Sequence, residues 1–376
     1  MRIGALLSWT CTALLAGCSG LPAPPAAFGR IDAAGAGETA PGTVYRIDVD
    51  SPLARAQVEA LLEAGENERS SQGDGLYLWI DVGRSEALAS RHPEWIAGMG
   101  SHEDWRSKFP GAPSPDATTR VGVHPWTPIW YRAVLEDRRD AIVKLLSGLP
   151  PRISGVFLCH VQGAPSACGC GNEQCRWTAD YRMTGGPERI EGAPAAVLIR
   201  SLEAALPGIP WIPVWVTECE EHDQPGEGST GYCYSVGCFK GLCWKESTKE
   251  LEGLLAVTKG TVTKGTVALL GTEKAFGRSL ERYAKDGGWI AAAARSLEEI
   301  PKRHQRTPLP SEKLLLVVEG EEAARAIPPG LRSRVQGVLT VQQPIDQSWS
   351  PRLIPVVTPP SKAPAREASP HGHGST

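Results

Sequence analysis

The chain has 376 residues, with 39 Lys and Arg against 42 Asp and Glu, a net charge of −3. No basic excess exists to hold a nucleic-acid backbone, so nucleic acid is excluded as an expected partner. Hydrophobic residues make up 41% of the chain, enough for the core of one large α/β domain.

Met1-Arg2 precedes a mostly apolar, uncharged run from Ile3 to Ala16, then Gly17-Cys18-Ser19-Gly20. A short positive start, an apolar stretch and small residues at a cleavage point describe a secretory signal. The run is too short to span a bilayer, which needs about 20 apolar residues. Leu15-Ala16-Gly17-Cys18 resembles the lipobox of bacterial lipoproteins. The resemblance implies that residues 1–17 are removed and that Cys18 is acylated, so that the lipid bilayer becomes a partner through several acyl chains. Ser19 is not the Asp associated with inner-membrane retention, which favours the outer membrane of the cell envelope.

Residues 18–41 are rich in Ala, Gly and Pro and read as a flexible tether. The folded body is expected over 42–357, and a disordered tail rich in Pro, Ser, Ala and His over 358–376. Within the body, strands are predicted at Thr43–Asp50, Gly75–Val82, Thr119–Val123, Ile153–Cys159, Trp211–Thr217, Gly265–Leu270, Leu314–Val318 and Val335–Val341. Between them lie helical patterns. Ser51-Pro52 offers an N-cap and a Pro for the first turn, Arg132–Ser147 has helical spacing, and Leu198, Leu202 and Ala205 share one face. A further pattern carries Trp289, Ala292, Ala293 and Leu297. Eight β-runs interleaved with helices predict a (β/α)8 TIM-barrel-like α/β domain, with an open doubly wound sheet as the alternative. No Gly-x-Gly-x-x-Gly, Walker loop or Gly-x-Ser-x-Gly elbow occurs at a strand end, which leaves nucleotide-binding and α/β-hydrolase readings unsupported.

In such a barrel chemistry sits at the C-terminal ends of the strands. Asp81, Glu218 and Glu319 stand there and are the candidate catalytic carboxylates, because glycoside hydrolysis needs one protonated and one ionised carboxyl group flanking the bond. Arg91-His92-Pro93-Glu94-Trp95, and the order Trp126, Trp130, Tyr131 before Gly155-Val156-Phe157-Leu158, are similar to segments of glycoside-hydrolase-like barrel proteins. The resemblance implies glycan binding, with His92, Trp95, Trp126 and Trp215 as candidate contacts. The chain departs from that pattern after the fourth predicted strand, where those barrels carry an acid and this one carries Cys159-His160. A non-catalytic binding lipoprotein on the same fold is the alternative reading.

Eight cysteines remain outside the signal and Cys18, all within residues 159–243. An even number in an exported protein points to disulfides stapling long loops. Cys168, Cys170, Cys175, Cys233, Cys238 and Cys243 are also close enough in sequence to wrap a zinc ion, the one metal the sequence suggests where no cofactor is otherwise expected. A metal-handling lipoprotein is therefore a third reading.

Overall fold

The computed structural model describes residues 22–33, 41–68, 75–98, 110–161, 187–190, 194–216, 219–222, 230–233, 267–270, 314–327, 329–333, 335–346 and 348–357. Twelve strands run in chain order. They are β1 (Ala27–Ala33), β2 (Gly42–Arg46), β3 (Gly75–Asp81), β4 (Thr119–His124), β5 (Ile153–Cys159) and β6 (Trp211–Val216). Then come β7 (Cys219–His222), β8 (Thr230–Cys233), β9 (Val267–Leu270), β10 (Leu314–Glu319), β11 (Gly337–Val341) and β12 (Ser350–Pro355). The main helices are α1 (Ala54–Glu68), α2 (Glu86–Arg91), α3 (Arg132–Leu146), α4 (Pro194–Ala205) and α5 (Gly320–Ala326), with a single helical turn at Pro329–Arg332 and a short 3-10 turn at Pro93–Trp95.

Eight strands close a barrel in the order β1-β11-β10-β9-β6-β5-β3-β2. Seven run parallel, and β1 is antiparallel to both its neighbours, β11 and β2. This overturns the (β/α)8 expectation. That fold needs eight parallel strands alternating with eight helices, and the described residues hold five main helices and a mixed sheet. Two segments account for the difference. Thr119–Val123, expected as the third barrel strand, pairs antiparallel with β12 outside the barrel. Its place in the count is taken by β1, which lies inside the stretch 18–41 read as a flexible tether.

β1 orders for a physical reason. Phe28 and Ile31 point inward and are 2% and 1% exposed, and both edges of the strand find partners, β11 along Gly29 to Ala33 and β2 along Ala27 to Ile31. Without β1, β2 and β11 would each present an open edge.

Alternation along the strands sorts two cores. Val44, Tyr77, Trp79, Phe157, Cys159, Ile212, Val214, Leu315, Val317, Leu339 and Val341 fill the barrel with Phe28 and Ile31. The intervening residues Leu78, Ile80, Val156, Leu158, Leu316, Val318 and Val338 face outward onto the helices. In α3 the buried residues Val134, Leu135, Arg138, Ile142, Leu145 and Leu146 fall on one helical face. The barrel interior is aromatic. Trp79 stacks on Phe157 with centroids 5.7 Å apart and meets Phe28 at 5.2 Å. The Tyr77 ring fits because Gly42 and Gly155 stand beside it: a Cβ at Gly42 would come within 2.5 Å of that ring.

Val121, Val123 and Trp126 of β4 and its following turn join the barrel-interior core. The β4–β12 ribbon thus packs over the barrel and does not enter the sheet. Among the described residues, no helix is long and apolar enough to cross a membrane.

Candidate functional site

The strand that supplies Val44 to the interior ends on Arg46, two residues on and therefore on the same face. By the same alternation β3 ends on Asp81 after Trp79, and β5 ends on Cys159 after Phe157. Asp81 and Cys159 are register partners and thereby share one layer at the C-terminal end of the barrel, and Arg46, in register with Trp79, reaches that layer with its long side chain.

Asp81 is the centre of this layer. Arg46 donates from Nε to Asp81 Oδ2 at 2.8 Å and from Nη2 at 2.5 Å. Trp79 Nε1 donates to Oδ1 at 3.2 Å, and His160 Nδ1 lies 3.1 Å from the same oxygen. The Asp81 side chain is 13% exposed. Burial alone would raise its carboxyl, but His160 and Arg46 outweigh burial and hold it well below the usual carboxylate range. Asp81 is therefore ionised at any physiological pH. Burial, reinforced by Asp81, pushes the Cys159 thiol well above its ordinary value, so Cys159 is a neutral thiol.

His160 is placed by backbone as much as by side chain. Its φ is +59°, left-handed and uncommon for a residue with a Cβ. Gly83 makes this possible, since a Cβ there would lie 2.1 Å from the His160 carbonyl oxygen. The imidazole meets the Trp126 ring edge-on at 4.9 Å. Trp126 Nε1 in turn donates to the Ser348 carbonyl at 3.4 Å.

A cleft of about 520 Å³ opens beside this layer, lined by Phe28, Arg46, Asp48, Asp50, Asp81, Arg84, Ser85, Glu86 and Gln343 among others. The Arg46 guanidinium lies 5.8 Å from the centre of the Phe28 ring. Arg84 pairs with Asp346 at 2.7 Å, tying the segment after β11 across the mouth. Asp50 is held by Arg138, Ser85 and Arg91.

The sequence-predicted residues fare differently. Asp81 is in the layer, and Trp126 joins it through His160. Glu319 ends β10, and its Oε1 accepts from the Ile345 backbone N–H at 3.0 Å, a bond that shapes the crossing segment. His92 and Trp95 stack on each other at 3.8 Å, with Glu94 3.1 Å from His92 Nδ1, and neither lines the cleft. Trp215 stands in β6 opposite Leu269, and its side chain lies outside the described residues, as does Glu218. Cys18, Cys168, Cys170, Cys175, Cys238 and Cys243 also lie outside them. Cys233 ends β8, with Cys219 as its backbone partner across the ribbon. Cys159 is a free, buried thiol, and seven cysteines beyond the signal and Cys18 remain for any pairing.

Sequence reasoning missed Arg46 and Phe28. Arg46 was legible as the next inward position after Val44. Phe28 carried no signal in a stretch with the composition of a linker.

Asp81, Cys159 and His160 each present one metal-ligating atom, and these atoms all lie within 4.8 Å of one another, a group able to hold a metal ion. No protein-family model matches the chain, and no curated protein matches it.

Proposed function

We propose that the protein is a lipoprotein tethered to the outer membrane of the cell envelope through an acylated Cys18, and that it binds a glycan in the cleft beside Asp81. The observation that carries this reading is the cleft itself: a concave site with the part-exposed Arg46 guanidinium on its wall and a fixed, ionised carboxylate at its floor. Hydroxyl-rich ligands are held by such preorganised acceptors and planar donors. Arg46 and Gln343 add donors to the same wall.

Binding is favoured over hydrolysis by the state of the carboxylates. Glycoside cleavage needs a carboxyl group that carries a proton at working pH. Asp81 is held ionised by His160 and Arg46, and Glu319 has one oxygen engaged by Ile345. Asp81 fits the role of acceptor, or of the ionised partner if a donor comes from elsewhere. Zinc held by the cysteine loops, from Cys168 to Cys243, stays a separate proposal with no described geometry behind it.

The test uses the soluble chain beginning at Ser19. A glycan array followed by calorimetry is expected to find a ligand whose affinity falls tenfold or more in Asp81→Asn and in Arg46→Met. No ligand, or equal binding by both variants, would refute the cleft as the site. Release of new reducing ends by the wild type, abolished in Asp81→Asn, would replace the binding reading with a hydrolytic one. Acylation is tested on the full precursor: a lipid-modified N-terminal peptide is expected, and its persistence in Cys18→Ser would overturn the anchor.

A further inference from the structure

We infer that Asp81, Cys159 and His160 form a zinc site at the floor of the barrel mouth, with its open coordination position facing the cleft.

The argument begins with placement. Asp81 and Cys159 end neighbouring parallel strands and are register partners, so their side chains share the inward face at the same height. His160 follows at once, and its left-handed φ turns the ring back over that layer instead of continuing the strand outward. The result is one oxygen, one sulfur and one nitrogen mutually within 4.8 Å, with Asp81 Oδ1 and His160 Nδ1 3.1 Å apart. Around a tetrahedral zinc with bonds of about 2.0–2.3 Å, ligand atoms stand roughly 3.3–3.8 Å from one another. The Asp81–His160 edge is already close to that length, and the sulfur edges, within 4.8 Å, close by about 1 Å or less on metal binding.

The donor set selects the metal. One thiolate, one imidazole and one carboxylate suit a borderline cation, whereas calcium and magnesium take oxygen ligands alone. Two of the three ligands are buried, Cys159 at 0% and His160 at 1% exposure, and the third, Asp81, lines the cleft. Access and the open fourth position therefore lie on the cleft side, the pattern of zinc sites that keep a place for water or ligand.

The surroundings fit. A coordinating carboxylate is normally oriented by hydrogen bonds from outside the metal's ligand shell. Arg46 holds Asp81 Oδ2 and Trp79 Nε1 donates to Oδ1, leaving Oδ1 a lone pair for the metal. Trp126 fixes the plane of the His160 ring from its edge. On binding, the Cys159 thiol proton passes to solvent, and His160 coordinates through Nδ1 as a neutral imidazole with its proton on Nε2. With Zn²⁺, an Asp81 carboxylate, a Cys159 thiolate and the Arg46 guanidinium, the centre carries a net charge of about +1, which favours an anionic or hydroxide fourth ligand.

The experiment uses the whole soluble chain from Ser19 and zinc alone as the probe. Zinc stoichiometry is measured after equilibrium dialysis in the wild type, Cys159→Ser, His160→Gln and Asp81→Asn. Because the other cysteines can also take metal, the reading is the difference. One equivalent is expected to be lost in Cys159→Ser and His160→Gln, with at least tenfold weaker zinc binding in Asp81→Asn. X-ray absorption of the zinc-loaded wild type reads the shell with no substitution and so does not depend on the variants folding. A site with one sulfur among nitrogen and oxygen neighbours supports the inference. No bound zinc, a shell of sulfur alone, or identical stoichiometry in folded variants overturns it. The glycan reading is judged separately, by array binding of the zinc-free chain.

Discussion

Asp50 is the residue whose loss should be felt furthest from its own position. It follows β2, and its carboxylate accepts from Arg138 Nη1 at 2.8 Å and Nη2 at 2.9 Å, from Ser85 Oγ at 2.6 Å and from Arg91 Nη2 at 2.9 Å. Those partners belong to α3 and to the two ends of α2, so one side chain locks three elements together at the rim of the cleft. Arg138 is 1% exposed and Asp50 4%. Removing one partner of a buried pair strands the other and typically costs about 3–5 kcal/mol. Arg138 would keep Asp137, at 2.5 Å, and that remnant places Asp50→Ala at the lower end, about 3 kcal/mol. With a urea dependence of about 3 kcal/mol per molar, the unfolding midpoint should fall by about 1 M. A loss below about 1 kcal/mol would refute the account of Asp50 as a buried, paired anchor. The same network sets a pH dependence. Burial pushes the Asp50 carboxyl up, but Arg138, then Ser85 and Arg91, outweigh it and hold it well below its ordinary 3.8. A carboxyl lowered in the folded state stabilises above its ordinary value and loses that contribution as pH falls through the folded one. The stability gap between wild type and Asp50→Asn should therefore be full near neutrality and shrink below about pH 4. A gap that stays constant to about pH 2 would contradict the pairing.

A chain starting at Gly42, without β1, should fail to fold, while one starting at Leu21 should fold. Loss of buried Phe28 and Ile31 alone removes about 5 kcal/mol or more, comparable to the whole stability of a domain, and circular dichroism with solubility checks it. Gly83→Ala should cost roughly 1–3 kcal/mol in chemical denaturation and weaken any ligand of the cleft, because its Cβ meets the His160 carbonyl, backbone that cannot swing away. In metal-free protein, Cys159 should resist alkylation near neutral pH until the chain unfolds, since the thiol is buried and its pKa lies well above 9.0. Fast native-state labelling of Cys159, mapped by mass spectrometry, would be the contrary result.

Much of the framework was written in local pattern. The runs at 75–82, 153–159 and 314–318 are continuous and apolar because both faces of those strands are covered, the inner by the aromatic barrel core and the outer by helices. The helix expected over 132–147 is observed over Arg132–Leu146 because its apolar residues recur at helical spacing. Asp81 was legible as a strand-end carboxylate. The Ser51 cap works differently from the expectation: its Oγ accepts from Leu53 N–H, and α1 begins at Ala54, past Pro52.

What the tertiary structure alone decided were the pairings across sequence distance. The expected third strand is a strand, but β12 captures it, and Gly122 packs so closely on Ile354 that a Cβ there would lie 2.7 Å from that side chain. β1 has a linker's composition, yet Phe28 and Ile31 become ordered because β2 and β11, which lies about three hundred residues further along, offer it two edges at once. His160 reads in sequence as the residue where an acid was expected. Only the turn of its backbone against Gly83 brings its ring to Asp81 and Cys159. Local periodicity states which face of a strand is buried, because side-chain direction is set residue by residue. Which strand lies beside which, and so which polar ends meet, depends on burial and hydrogen-bond completion summed over the closed sheet, and no local window contains that sum.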